Sequence, residues 1–170
     1  MRSEDVKRRT KTPEQALTAL MRLCARAEKS TGDARRLMRG WSVDERAQEE
    51  VLRKLTEQRF IDDVRFAEAF VREKMNLSGW GAYKIRAALV RKGIDRATID
   101  RTLTEVDPAQ NAERLRQQLT RKMRSVKASS AYELRTKLMR YGLSLGFDYE
   151  SVGEAVNAMI KNTDEECDIF

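Results

Sequence analysis

The amino-acid sequence predicts an all-α protein, an elongated, curved array of three tandem three-helix repeats. Three observations point there. The chain has 170 residues and two prolines, and it is dominated by Arg, Lys, Glu, Ala, Leu and Gln, all good helix formers. Capping signals recur along it, each followed by apolar residues at helical spacing. A segment in the middle, residues 83–93, returns at residues 132–142.

The elements follow in order. Thr12-Pro13-Glu14-Gln15 reads as a helix start, with Thr12 as N-cap, Pro13 at the first helical position and Gln15 closing a capping box. The stripe Ala16, Leu17, Leu20, Met21, Leu23, Cys24, Ala27 follows. Ser30 to Asp33 break that helix and cap a short one over Ala34 to Arg39. Ser42 to Glu45 form a second capping box before Ala47, Val51, Leu52 and Leu55. Asp62 or Asp63 caps a helix carrying Phe66, Ala67, Phe70, Val71 and Met75, which Ser78 to Gly81 end. A helix over Ala82 to Lys92 carries Ile85, Ala88 and Leu89, with Gly93 placed as its left-handed terminator. Asp95 caps a helix with Ile99 and Leu103. Asp107-Pro108 opens one with Ala112, Leu115, Leu119 and Met123. A helix begun by Ser130 and Glu133 carries Leu134 and Leu138 and is expected to end at Gly142. A last one, Tyr149 to Lys161, carries Val152, Val156 and Met159.

Nine helices in threes suggest a repeated unit. Aligning Tyr83 with Tyr132 also pairs Arg86 with Arg135, Leu89 with Leu138, Arg91 with Arg140 and Gly93 with Gly142. The first group matches more loosely, with Ala34 and Met38 in the places of Ile85 and Leu89 and Ser42 in the glycine place. The expected organisation is a basic N-terminal tail at 1–12, repeats at 13–60, 61–106 and 107–161, and an acidic tail at 162–170. One such unit cannot bury its apolar faces alone, and stacking extends the core.

Charged residues make up 36% of the chain and the net charge is +7. The last ten residues hold one lysine and four acids, so the remainder carries +10. A basic body with an acidic tail suits a polyanionic partner, although a solvated surface has the same composition. The tail acids Asp164, Glu165, Glu166 and Asp168 are expected to be disordered or loosely docked, and a sharper hypothesis has them fold back on the basic face and compete with the partner. Two distant cysteines, Cys24 and Cys167, imply reduced thiols and a cytoplasmic protein. The charged N-terminus does not read as a signal peptide, and no apolar run is long enough for a membrane helix.

Chemistry-bearing patterns are few. The chain has no histidine, which removes Ser-His-Asp and Cys-His catalysis and His-ligated metals. Asp62 and Asp63 are a carboxylate pair, but adjacent acids at a helix start are more often caps. Gly79-Trp80-Gly81 faintly resembles a phosphate loop, without the preceding strand or the spacing. Trp80 suits either base stacking or stapling the turn to the core. No enzyme, cofactor or metal site is expected. The candidates are basic residues set off the apolar stripes. They are Arg35, Arg36 and Arg39 in the first repeat, and Arg72, Lys74, Lys84, Arg86, Arg91 and Lys92 in the second. Arg121, Lys122, Arg135, Lys137 and Arg140 follow in the third. Such a repeated row could track a phosphate backbone or an acidic groove. Any one of these residues could equally complement a helix dipole.

Residues 60–74, with Phe60-Ile61-Asp62-Asp63 and then Arg65-Phe66-Ala67, resemble the hallmark of the RecX family. Residues 81–94, ending in Lys92-Gly93-Ile94, resemble the segment that follows it. The likeness is sharp from Leu52 to Leu103 and looser over Pro13 to Lys161. Two positions depart from the pattern: Arg59 stands where the family has glycine before the Asp pair, and Ser42 replaces the glycine ending the first repeat's middle helix. The resemblance implies three three-helix repeats and a cytoplasmic regulator, and a monomer is the default expectation. It would bind RecA recombinase filaments on single-stranded DNA and inhibit their ATPase and strand exchange, with no membrane and no catalytic residues. Without it, the basic helices would also fit a free-standing nucleic-acid binder such as a helix-turn-helix regulator.

Overall fold

A computed structural model describes the backbone of residues 10–167 and the side chains of residues 10–161. Nine helices and no strand occupy these described residues: α1 Pro13–Arg26, α2 Thr31–Gly40, α3 Glu45–Glu57, α4 Asp63–Asn76, α5 Ala82–Arg91, α6 Arg96–Thr104, α7 Pro108–Ser125, α8 Ala131–Ser144 and α9 Tyr149–Cys167. The all-α repeat prediction holds. The residues expected as the N-terminal tail lie outside the description up to position 9. The acidic side chains at 162–170 lie outside it as well, although the backbone of α9 continues past Lys161 to Cys167.

Local chemistry explains most boundaries. The Thr12 hydroxyl accepts from the Gln15 amide and the Gln15 side chain accepts from the Thr12 amide, completing the capping box. Asp62 is the cap of α4, accepting from the Val64 and Arg65 amides at 3.0 Å each. Asp63 instead reaches back to Thr31, accepting from its amide at 2.9 Å and its hydroxyl at 2.6 Å. Both carboxylates of the pair are thus consumed by structure.

The expected box at Ser42 is corrected. Asp44 caps α3, and Ser42 sits at φ 57°, where it turns the chain out of α2. Gly93 at φ 77° and Gly146 at φ 91° do the same after α5 and α8. Each is followed by a buried apolar residue (Val43, Ile94, Phe147) and then by an Asp: Asp44, Asp95 or Asp148. This corrects the expected end of α8 at Gly142. The third middle helix has 14 residues against 10 in α5. Tyr132 therefore matches Tyr83 at its start while Gly146, not Gly142, matches Gly93 at its end. Gly142 lies inside α8, where the side chain of Val152 fills its Cβ position: a Cβ there would stand 2.6 Å from Val152 Cγ1.

Arg59 also has φ 57°. Side chains other than glycine are disfavoured there by ~1–2 kcal/mol. Arg59→Gly is therefore expected to stabilise the protein by about 1 kcal/mol, visible as a raised chemical-denaturation midpoint with an unchanged slope. The substitution also removes an exposed side chain that makes no ion pair among the described residues, so little is given up in exchange.

Contacts divide into two compact units. The first holds the described residues up to Ala69 together with Leu89–Ile99; the second holds Phe70–Ala88 and the described residues from Asp100 onward. In the first, Ala16, Leu20, Ala34, Met38, Val51, Leu52, Leu55 and Ile61 form the core, with half-buried Cys24 packed against it. Burial raises the Cys24 thiol above its usual pKa. In the second, Leu115, Leu119, Leu138, Phe147, Val152 and Val156 form the core.

The same joint is built once in each unit: the start of one repeat's middle helix meets the end of the next repeat's middle helix. In the first unit α2 begins against the end of α5. The Ser30 hydroxyl donates to the Lys92 carbonyl at 2.6 Å, and Gly32 lies against the backbone of Lys92 and Gly93. In the second unit α5 begins against the end of α8. The Gly81 amide donates to the Leu145 carbonyl at 2.8 Å and the Tyr83 amide to the Gly146 carbonyl at 3.0 Å. In the second joint, orphan amides at a helix start gain carbonyl partners at a helix end; in the first, the Ser30 hydroxyl meets the carbonyl while the Thr31 amide goes to Asp63.

Candidate partner-binding surface

The joints decide what several basic residues do. Asp33 is buried at the start of α2. The Lys92 ammonium lies 3.0 Å from its carboxylate and the Arg36 guanidinium 2.9 Å. Arg36 also donates to the Arg91 carbonyl at 3.2 Å. Burial alone would raise the Asp33 pKa, but the hydrogen bonds from Lys92 and Arg36 outweigh it and hold the carboxyl below its usual value. Arg35 pairs with Glu49 of α3, and Arg86 of α5 with Asp100 of α6. Lys137 pairs with Glu133 at 2.6 Å and donates to the Lys127 carbonyl at 2.6 Å. Arg135 donates to Asn157 at 3.1 Å. These six candidates serve helix packing as well as charge.

Arg39, Arg72, Arg91, Arg121 and Arg140 differ. All five are exposed and make no ion pair among the described residues. Arg39 follows buried Met38, while Arg91 and Arg140 stand two places after buried Leu89 and Leu138. Every middle helix therefore carries a solvent-facing arginine in its C-terminal half. Arg72 and Arg121 take corresponding places late in α4 and α7.

The three remaining lysines sit on aromatic rings in the second unit. Trp80 is flanked by Lys74, 5.5 Å from the ring centroid, and Lys84, 4.7 Å from it. Lys74 also meets Glu73 at 2.8 Å, and Lys84 donates to the Ser144 carbonyl at 3.3 Å. Lys122 lies 5.2 Å from the centroid of Tyr141. The indole thus positions two ammonium groups, a role between the two expected of it. The Gly81 and Tyr83 amides are spent on carbonyls of the joint and not on a phosphate. Tyr141 and Ser144 are site components that no periodicity marks in the sequence.

A fold of three-helix units with exposed, unpaired arginines at repeated stations defines a basic helical-repeat protein. None of its described helices is long and apolar enough to cross a membrane. Comparison with known proteins narrows the class. Residues 62–103 match the model of the RecX second three-helix domain, and residues 109–156 that of the RecX third three-helix domain. Regulatory protein RecX of Halalkalibacterium halodurans is 33% identical over 119 residues, covering 69% of this chain and 45% of that protein. Its counterpart in Oceanobacillus iheyensis is 26% identical over 148 residues, covering 85% and 53%. The chain thus spans about half the length of these curated relatives. Among solved structures, one of regulatory protein RecX superposes with a TM-score of 0.78 at 25% identity, covering 88% of this chain and 73% of that one. RecX from Lactobacillus salivarius gives 0.76 at 20% identity, covering 86% and 95%. The chain belongs to the RecX family, and both of these curated relatives are named regulatory proteins.

Proposed function

We propose that this chain is a cytoplasmic, non-enzymatic regulator, a monomer, that binds RecA recombinase filaments on single-stranded DNA and restrains their ATPase and strand exchange. Family membership supports the partner. The observation that carries the mode of binding is the exposed arginine without an ion pair in the C-terminal half of each middle helix: Arg39, Arg91 and Arg140. A charge already paired within the fold must break that pair to serve a partner, whereas these three are free to meet acidic groups or phosphates. Repeated stations suit a repeated target. The repeats would bridge neighbouring filament subunits and hinder the motion needed for turnover, and the positive face would speed association.

The test is the single-stranded-DNA-dependent ATPase rate of the cognate RecA, titrated with this protein. Dose-dependent inhibition at or below stoichiometric ratios is expected. An unchanged rate, with no binding to preformed filaments, would leave the runner-up, a basic helical protein that binds nucleic acid alone.

A further inference from the structure

In the second unit, a hollow of about 440 Å³ is lined by Lys122, Val126, Lys137, Arg140, Tyr141 and Ser144. Three of the six are cations and none is an acid. The nearest carboxylate in the hydrogen-bond network, Glu133, is held on Lys137 and its pKa is lowered to about 2, so it stays ionised and neutralises that lysine alone. Lys122 and Arg140 have no ion pair among the described residues, and Lys122 is held over the Tyr141 ring. The Tyr141 hydroxyl donates to Gln118 at 3.3 Å, which fixes the ring. Ser144 joins the hollow to the Lys84 ammonium through its carbonyl, and Lys84 in turn lies on Trp80.

We infer that this hollow is a nucleotide-binding pocket for single-stranded nucleic acid, in which Lys122 and Arg140 take phosphodiester oxygens and Tyr141 offers its ring to a base. Apolar Tyr141 and Val126 beside uncompensated cations match an amphiphile with a flat apolar part and an anionic part. A nucleotide unit carries both on every residue, whereas a run of acidic residues lacks the first. Stacking on an aromatic ring next to lysines is how single strands are held without sequence preference. The inference rests on the reading above only in taking single-stranded DNA as the polyanion, and it needs no recombinase.

The test uses the full chain and a fluorescent oligo-dT, followed by anisotropy over a range of salt with no RecA present. Lys122→Glu with Arg140→Glu is expected to weaken binding about tenfold or more and to flatten the salt dependence, since each phosphate no longer neutralised takes ~0.7 from the logarithmic slope. Arg22→Glu with Arg26→Glu on α1 makes the same change of charge and is expected to cost less than about threefold at moderate salt, since neither residue lines the hollow. Tyr141→Leu should weaken binding several-fold while Tyr141→Phe retains it. The neutral pair Lys122→Gln and Arg140→Gln repeats the test if the reversals fold poorly. Equal losses from both reversed pairs would overturn the pocket, leaving general charge. Unchanged oligo-dT affinity would also overturn it. If filament binding then persists, the filament reading stands alone; if filament binding is lost, the pocket faces protein.

Discussion

Gly146→Ala is expected to be among the most destabilising single-methyl changes in this protein, lowering stability by about 3 kcal/mol. Two costs combine. Gly146 has φ 91°, a conformation that side chains rarely adopt. A Cβ there would also stand 2.5 Å from the backbone nitrogen of Lys84, inside the joint where α5 begins against the end of α8. Left-handed strain contributes ~1–2 kcal/mol and overpacking against backbone ~1–3 kcal/mol. For a chain of this size the melting temperature should fall by roughly 6–12 °C. Gly153→Ala supplies the contrast. Gly153 lies within α9 with nothing within 4 Å of a Cβ, so alanine should stabilise by ~0.5–1 kcal/mol through helix propensity alone. Thermal melts of the two variants test whether the joint, and not glycine content, sets stability.

Asp33→Ala is the second large effect, a loss of about 2 kcal/mol. The Asp33 side chain is 10% exposed and holds both Lys92 and Arg36. Charge-assisted hydrogen bonds of this kind contribute ~1.5–3 kcal/mol, and the partial exposure of Lys92 and Arg36 reduces the cost of removing them. The effect carries a pH signature. The folded carboxyl is held below its usual 3.8, so the unfolded state takes up a proton first as pH falls. The stabilisation is complete above the unfolded value near 4 and disappears as pH drops through the lower folded value. The difference between wild type and Asp33→Ala, measured by urea denaturation, should stay constant from pH 5 to 8 and narrow below about pH 4. A difference that instead grew on acidification would assign Asp33 the opposite role.

These two residues also show what the sequence discloses. Caps and stripes are local: Thr12 with Gln15, Asp62 with the next amides and the Leu89 and Leu138 positions are readable within a turn or two. The family resemblance rests on such local runs, and it holds. The end of α8 escapes the sequence because an added helical turn keeps the register at Tyr132 and shifts it at the far end, so Gly142 falls by coincidence opposite Gly93. The candidate surface is half legible. Its residues are basic and off the apolar stripes, but their partners lie far along the chain: Lys92 and Asp33 are 59 positions apart, and Arg35 and Glu49 are 14. Only the folded chain separates cations that build joints from those left exposed. Tyr141 is invisible for the same reason, since its neighbours Lys122 and Gln118 belong to another helix.

In the proposed binding mode, the exposed arginines in the C-terminal halves of the middle helices carry the protein onto its filament. The most direct measurement is co-sedimentation with preformed RecA–single-stranded-DNA filaments, comparing wild type with Arg39→Glu, Arg91→Glu and Arg140→Glu combined in one chain. Saturable binding is expected of the wild type, and at least a roughly hundredfold weaker binding of the triple variant at equal thermal stability, which corresponds to ~1 kcal/mol from each of the three arginines. Full binding by the triple variant would contradict it.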